Sequence, residues 1–248
     1  MKRAVIQTET SLFIFFTAIC FLLAVASSLV TSVSYSRFQQ RLDRYGQWQA
    51  AIITCYEGTK RAVERHASVT QTGEISIIGE VFTDSGAFCC NIGSIDEAGR
   101  GLGRLTLTQG QWPTRPDEIV LENSTLFYLN IPADVGTKFT LEVTCTGADN
   151  KPLIKKTDFV LCGILPSYSA NWQDKTAVSG IVADNCRLFD ETNERKTILI
   201  GGNFSPARDV FELSNLVGKN ETFVFTSGAY PEIGTGLFFS TKTAWRTQ

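Results

Sequence analysis

The chain has 248 residues, of which 43% are hydrophobic and 19% are charged, and its formal net charge is −2. This composition provides enough apolar side chains for a packed core, which excludes an intrinsically disordered chain. Acidic and basic residues nearly balance and the basic ones are scattered, so the charge gives no reason to expect a nucleic-acid partner. The length allows one large domain or two small ones.

The first predicted element is a transmembrane helix over residues 11–33. No charged side chain occurs between Glu9 and Arg37. A helix of about 20 apolar residues crosses the roughly 30 Å hydrocarbon layer. A cleaved signal peptide, with Ala24-Val25-Ala26 as the cleavage site, is the alternative. The apolar run continues beyond that site to Val33, which favours an uncleaved anchor.

Residues 1–10 are predicted to form a cytoplasmic tail, because Lys2 and Arg3 favour a cytoplasmic N-terminus. Three arginines on the other side of the span, at positions 37, 41 and 44, oppose that orientation. Residues 34–45 are predicted to continue the helix as a stalk, since apolar side chains recur there at helical spacing. Gly46 is expected to end the helix.

A strand–helix–strand order follows the stalk. Ala50–Thr54 is a short apolar run typical of a strand, and Glu57–Ala67 is predicted to be a charged helix. Glu74–Phe82 is rich in β-branched residues and is predicted to be a second strand. This order favours the start of an α/β layer.

The clearest strand pattern lies at residues 137–145, where Phe139, Leu141, Val143 and Cys145 alternate with polar residues. With Asp158–Leu165 and the polar turn between them, this segment predicts a hairpin. The remaining predicted elements are strands at Arg104–Thr108, Glu118–Leu121 and Thr222–Phe225, a short helix from an Asn123 N-cap to Leu129, and a helix from Ser205 to Gly218.

Seven cysteines are present, and their spacing matches no metal site. They are Cys20, Cys55, Cys89, Cys90, Cys145, Cys162 and Cys186. The sequence has no Cys-x-x-Cys motif, and its single histidine, His66, lacks a second ligand at useful spacing. We interpret the cysteines as apolar core residues or free thiols, although an extracytoplasmic location would permit disulfides. On a regular strand, Cys89 and Cys90 would point to opposite faces.

Two segments bear on a possible enzyme activity. The glycines at 99, 101 and 103 have the wrong spacing for a dinucleotide fingerprint, and no phosphate-binding loop occurs. The segment Thr140–Cys145 is similar to the catalytic strand of sortases, with His66 as a base and Arg187 as an oxyanion partner. One residue too many separates Leu141 from Thr144, and alternation places Cys145 on an apolar face. We therefore expect no enzyme activity and no catalytic, cofactor-binding or metal-ligating residue.

The stretch from 105 to 165 resembles the periplasmic core domain of FtsX/MacB-like permeases of ABC transporters. The pattern combines a Gly-x-x-Pro turn, Glu-Ile-Val-Leu, a short helix, a Val-Gly-Thr turn and a Val-x-Gly-Ile strand. The matching residues are Gly110, Pro113, Glu118, Ile119, Val120, Leu121, Gly136, Val160, Gly163 and Ile164, the last strand having one extra residue before its glycine. Arg44-Tyr45-Gly46-Gln47-Trp48 also looks like the Tyr-Gly-x-Trp motif that opens this domain in Gram-positive permeases.

The resemblance implies an α+β fold: one transmembrane helix and an extracytoplasmic mixed α/β domain of the MacB core type over residues 46–235. It also implies a location in the cell membrane. The implied partners are a cytoplasmic ABC ATPase subunit, a second permease chain and the lipid bilayer. Relatives carry three further helices, whereas residues 236–248 are too short and too charged to span a bilayer, so we expect a truncated segment there. The alternative function is a membrane-anchored binding module, such as an adhesin or a sensor.

Overall fold

The computed structural model describes residues 2–54, 58–147, 151–172, 177–186, 188, 195–203, 223–226, 229 and 237–239. The chain divides into two compact units, Met1–Arg41 and Leu42–Gln248. The helices are α1 (Lys2–Tyr45), α2 (Gly58–Glu64), α3 (Glu97–Gly103) and α4 (Asn123–Tyr128). The strands are β1 (Ala50–Thr54), β2 (Val69–Phe82), β3 (Phe88–Ile95), β4 (Gln109–Gly110), β5 (Glu118–Glu122), β6 (Lys138–Thr146), β7 (Pro152–Leu165), β8 (Gly180–Val182), β9 (Arg195–Gly202), β10 (Phe223–Thr226) and β11 (Leu237–Phe239). The predicted mixed α/β domain after an N-terminal apolar helix is confirmed.

The apolar part of α1 has the length and composition of a membrane span. Within Phe15–Tyr45, the mean hydropathy of an 18-residue window reaches 2.1, and none of that window is buried in the protein. Ser27 Oγ donates to Ala24 O at 2.9 Å and Thr31 Oγ1 donates to Ser27 O at 2.8 Å, so these two hydroxyls are satisfied inside the helix. The apolar side chains of this helix are exposed, which is compatible with a helix that crosses a bilayer.

Six strands of the second unit pair in a closed cycle, in the order β2-β3-β8-β5-β7-β6 and back to β2. Each of them contributes side chains to one buried cluster, which we call the ring core. Its members include Val81, Ile92, Ile119, Leu121, Leu141, Val143, Phe159, Leu161 and Val182. Because all six strands point residues into this cluster, it fills the inside of the ring.

A second buried cluster, which we call the aromatic core, lies on the opposite face of the same strands. It contains Trp48, Tyr168 and Trp172 together with Ile75, Leu102, Val120, Ile181 and Leu199. Strand β5 separates the two cores, since Val120 belongs to the aromatic core and its neighbours Ile119 and Leu121 belong to the ring core. This is the period-2 alternation of a strand buried on both faces.

Helix α3 packs closely on β2 because two glycines meet there. A Cβ on Gly73 would lie 2.3 Å from the Cα of Gly99. Asp96 caps the helix: its Oδ1 accepts from the amide of Gly99 at 2.6 Å and from the amide of Glu74 at 2.9 Å. The cap therefore satisfies one helix amide and one strand amide at the same point.

Several predicted elements are confirmed and others are corrected. The strand at Ala50–Thr54, the strand over 118–121 and the hairpin of β6 and β7 are present. The closing strand is also present, shifted by one residue as β10, which pairs with β1. The strand predicted at Arg104–Thr108 is wrong: Arg104 has φ 51 and ends α3, and the extended pairing begins only at Gln109.

Two further boundaries differ from the prediction. Strand β2 begins at Val69, before Glu74, and contains Gly73, because the close approach of α3 uses a glycine inside the strand. Asn123 is the first residue of α4 and Glu122 precedes it without a side-chain cap bond. The helix predicted from Ser205 to Gly218 lies outside the described residues. The division into tail, span, stalk and domain stays a prediction.

Candidate functional site

The best-defined constellation lies where the second unit begins, in an anchor segment comprising residues 45–49. Gly46 has φ 80, a left-handed conformation that glycine adopts without strain, and it follows the last residue of α1. The Gln47 amide donates to Leu102 O at 2.7 Å, and the Gln49 amide donates to Ile200 O at 2.8 Å. Gln49 Oε1 also accepts from the Gly202 amide at 2.7 Å. The chain is thus fixed to α3 and β9 immediately after the helix.

Trp48 fixes the anchor segment from within the aromatic core. Its side chain is 2% exposed, and its ring meets Trp172 edge-on with centroids 5.6 Å apart. Trp172 in turn meets Tyr168 edge-on at 5.1 Å, and Tyr168 Oη donates a hydrogen bond to Val178 O. Three aromatic rings in edge-to-face contact bury a large area and define one orientation.

A cleft of about 800 Å³ opens beside this segment, and we call it the arginine cleft. Its lining is basic and aromatic in part, and comprises Asp43, Arg44, Gln47, Glu97, Arg100, Gly101, Gly103, Arg104, Leu105, Thr106, Trp112, Pro166, Ser167, Tyr168 and Asn171. Such a partly open cleft can accept a polar or amphipathic group.

Each arginine of the cleft has a defined partner. Arg44 Nε donates to Asn171 Oδ1 at 2.8 Å. Arg104 Nη1 lies 3.2 Å from Asp43 Oδ1, and both side chains are partly exposed. The Arg100 guanidinium lies 4.7 Å from the centroid of the Trp112 ring. Contacts of this exposed kind are individually weak, so the arginines can exchange them for an anionic group.

A buried carboxylate, that of Glu122, holds the backbone at Tyr168 and Ser169 beside the cleft. Glu122 is 1% exposed, and it accepts from the amides of Tyr168 and Ser169 at 2.9 and 2.6 Å. The hydroxyls of Ser124 and Ser169 also donate to it, at 2.9 and 2.8 Å. Four donors satisfy the carboxylate without a cation. Burial, and secondly the Glu122 charge, raises the pKa of Tyr168, which therefore acts as a hydroxyl donor.

The residues that carry the permease resemblance converge on strand β7. Gly110 pairs with Gly163, and Glu118 and Leu121 pair with Val160 and Ile164. Gly136 lies outside the strands, and its amide donates a hydrogen bond to Leu161 O of β7 at 2.7 Å. Motif residues separated by up to 53 positions, as Gly110 and Gly163 are, are thus neighbours in space.

Glycine is required in this group because of close approach and left-handed backbone. A Cβ on Gly110 would lie 2.1 Å from Cys162 O and 2.7 Å from the Cα of Gly163, and Gly110 also has φ 80. Gly136, which has φ 97, lies in a turn as predicted, whereas Gly110 is the last residue of β4. These motif residues are structural.

The sortase-like alternative is not supported by its nucleophile. Cys145 is buried, and burial raises the pKa of its thiol, which is the opposite of the activation a cysteine nucleophile needs. His66 precedes β2 and is half-buried, whereas Cys145 follows Thr144, the partner of Glu80 near the far end of β2. Arg187 lies outside the described residues.

Sequence reasoning identified the anchor segment but missed the arginine cleft. Arg44, Arg100, Arg104 and Asn171 come from three separate segments, so no local pattern unites them. The one sequence feature that could have drawn attention to this region was the glycine-rich run from Gly99 to Gly103. In the structure this run belongs to α3, and its Gly99 allows the helix to pack closely on β2. Across the described part of the chain, no group of three or more His, Cys, Asp or Glu side chains could hold a metal ion.

No protein-family model matches the chain, and no curated protein matches it in sequence. Solved structures do. The chain is similar to the periplasmic region of MacB from Actinobacillus actinomycetemcomitans, with 13% identity, a TM-score of 0.43, and coverage of 77% of this chain and 94% of that one.

Two further structures are similar. The extracellular domain of the noncanonic ABC-type transporter YknZ from Gram-positive bacteria has 10% identity and a TM-score of 0.39, over 64% of this chain and 77% of that one. A domain of a putative permease from Porphyromonas gingivalis has 9% identity and a TM-score of 0.36, over 75% and 89%. At these identities the likeness concerns the fold alone.

Proposed function

We propose that this chain is a membrane-anchored permease subunit whose extracytoplasmic domain moves with a helix that is driven by a separate ATP-binding subunit. The apolar helix α1 supplies the span, and the permease-like motif residues gathered on β7 support the type of domain. The movement serves export or mechanical signalling across the membrane. The N-terminus is cytoplasmic and the second unit is outside in this proposal.

The anchor segment is the observation that carries the proposal. Helix α1 is hydrogen-bonded without interruption from Lys2 to Tyr45, and the residue three positions after it, Trp48, is held in the aromatic core. A continuous helix transmits a shift with little compliance. The buried ring, two backbone–backbone hydrogen bonds and the hydrogen bond to the Gln49 side chain prevent slippage at the receiving end. A purely passive membrane tether needs no such fixation.

The test separates transmission from folding by inserting a flexible joint. A Gly-Ser-Gly insertion between Tyr45 and Gly46 interrupts rigid transmission. It also displaces the exposed Arg44–Asn171 and Asp43–Arg104 contacts, but it leaves Trp48 and the rest of the aromatic core in place. The matched control is the same insertion after Gly86, which has φ 79 and open space around its Cβ position in the turn between β2 and β3. The full chain is expressed with a tag in its native host and purified with mild detergent.

The wild-type chain is expected to co-purify with an ATP-binding subunit. The Tyr45/Gly46 insertion should retain that association yet lose the ATP-dependent change in protease sensitivity of the domain, whereas the Gly86 insertion should retain both. Absence of any ATP-binding subunit, or equal responses from the two insertions, contradicts the proposal. Protease added outside intact cells checks orientation, because it should cut the domain and leave the span in the membrane.

A membrane-anchored binding module is the second candidate, and an exposed aromatic pair favours it. Phe127 and Tyr128 on α4 are 81% and 65% exposed, with ring centroids 5.8 Å apart. Exposed aromatic pairs are enriched at protein interfaces. This function predicts ligand binding without an ATPase, and binding would be lost in Phe127→Ser but retained in Phe82→Ser, which changes an exposed ring elsewhere.

A further inference from the structure

The vicinal cysteines Cys89 and Cys90 do not follow the alternation of a regular strand. In the β2–β3 pairing, Val81 lies opposite Cys90 and Phe82 lies opposite Phe88, so Cys89 is an extra residue without an opposite partner. This is a β-bulge, which disrupts the pleat locally and re-aims side chains. The prediction that the two thiols point to opposite faces is therefore wrong. The two thiols are close enough for each to shift the pKa of the other.

The two thiols also share one cavity. A pocket of about 250 Å³ is lined by both cysteines and by Ser169, Trp172 and Ser179, among other residues. Cys89 is partly exposed, whereas Cys90 is 1% exposed. Cys89 is therefore the more accessible of the two thiols to a reagent from solution.

The pKa values of the two thiols are shifted in opposite directions, and the more accessible thiol is the one whose pKa is lowered. The hydrogen bond from Cys90 lowers the pKa of Cys89, against the opposing effect of burial. The same hydrogen bond, then burial, then the charges of Cys89 and Glu122 raise the pKa of Cys90. A thiol with a lowered pKa is the better attacking group, and a buried thiol of raised pKa stays protonated until its neighbour has reacted.

We propose that Cys89 and Cys90 form a reversible redox site, which a small-molecule disulfide such as glutathione disulfide oxidises to an internal disulfide. The Cys89 thiolate attacks one glutathione sulfur, which breaks the glutathione S–S bond and releases one glutathione thiolate. Cys90 then gives its proton to the released thiolate and attacks Cys89 Sγ, displacing the second glutathione. Two electrons pass from the cysteine pair to glutathione disulfide, and both protons end on the two glutathione thiols.

The product is expected to be readily reversible because its ring is small. Adjacent Cα atoms across a trans peptide are about 3.8 Å apart, whereas unstrained disulfides join Cα atoms about 4.4–6.8 Å apart. Strained disulfides are the reducible, regulatory kind. The bulge can accommodate the small disulfide ring, because Cys89 has no residue opposite it on β2 and can shift without breaking a strand pairing.

The site adjoins the aromatic core, since the same cavity is lined by Trp172, the ring that packs against Trp48. A change of covalent state would therefore occur beside the residues that fix the anchor segment. The thiol chemistry itself does not depend on the permease function, so the two proposals fail separately.

The sequence makes the test unambiguous. Trypsin cuts after Arg65 and Arg100. The peptide between these cuts, residues 66–100, has no Lys or Arg before its terminal Arg100 and no cysteine besides the vicinal pair. The full chain in detergent is equilibrated with mixtures of reduced and oxidised glutathione, blocked with N-ethylmaleimide, digested and analysed by mass spectrometry. Cys145→Ser, which removes a buried thiol elsewhere, serves as the control variant.

Under reducing mixtures the wild-type peptide should carry two maleimides. Under oxidising mixtures it should carry none and be lighter than the unlabelled dithiol peptide by two hydrogen atoms, and mild reduction should restore both labels. Cys90→Ser should trap glutathione on Cys89, Cys89→Ser should leave Cys90 without glutathione, and Cys145→Ser should behave like the wild type.

Two results would overturn the proposal. One is a wild-type peptide that carries stable glutathione or both maleimides under every mixture. The other is a disulfide between either residue and a cysteine of another peptide.

Discussion

The two buried cores of the second unit are built in different ways from the same strands. The ring core is aliphatic for the most part and is enclosed by six strands that pair in a closed cycle. The aromatic core combines three large rings from residues 48, 168 and 172 with apolar side chains from α3, β2 and β9. The ring core therefore gives the domain its shape, whereas the aromatic core holds the anchor segment to it.

The largest effect is expected from Trp48→Ala. Removing a buried Trp from the aromatic core should lower the free energy of unfolding by about 3–5 kcal/mol, because the cavity cannot collapse around two remaining rings. Trp112→Ala is the matched control: its ring is half-buried and packs against the aromatic core from outside. Loss of this packing and of the Arg100 contact should cost less, about 1–2 kcal/mol. Urea unfolding of the detergent-solubilised chain, followed by circular dichroism, measures both. Equal losses would remove the distinction between anchored and peripheral rings.

A loss of similar or smaller size is expected from Leu161→Ala in the ring core. Leu161 is fully buried, and truncating such a leucine costs about 2–5 kcal/mol. Ile154→Ala on the same strand should change stability by less than about 0.5 kcal/mol, since Ile154 is 61% exposed. A double mutant of Trp48 and Leu161 sharpens the comparison. Additive losses would show that the two cores are energetically independent, and strong coupling would show that they act as one.

The smallest expected effect concerns β5, a strand that contributes residues to both cores, and its pH dependence is confined to acidic solution. The amides of Thr114 and Arg115 donate to buried Glu118 and hold its pKa below the ordinary value of 4.5. Because the folded-state pKa lies below the unfolded one, this carboxylate stabilises the fold above about pH 4.5. The contribution is lost as the pH falls through the folded-state value.

Glu118→Gln should therefore destabilise the chain near neutral pH and flatten the dependence of stability on pH below the ordinary glutamate pKa. Urea midpoints measured across that range check the expectation. Asp117→Asn, one residue earlier and exposed, is the control and should keep the wild-type slope. An unchanged slope in Glu118→Gln would show that this carboxylate is not the titrating group.

The vicinal cysteines show where the alternation of a strand failed to predict the direction of side chains. Residues 137–145 alternate in sequence and in burial, because β6 is paired regularly with β7 over its whole length. Residues 88–95 form a strand too, but its bulge at Cys89 breaks the alternation. A bulge is set by the partner strand and by packing, so no property of residues 88–90 alone announces it.

The sequence by itself determined the apolar span, the end of the first helix at Gly46, the β6–β7 hairpin and the special glycines, because each depends on local composition, periodicity or backbone freedom. Tertiary structure alone decided the closed ring, the insertion of β9 between β1 and β2, and the arginine cleft. These depend on pairings between segments as far apart as residues 50 and 200, or 44 and 171. Long-range pairing is selected by the burial of whole faces at once, and that information is distributed over the chain.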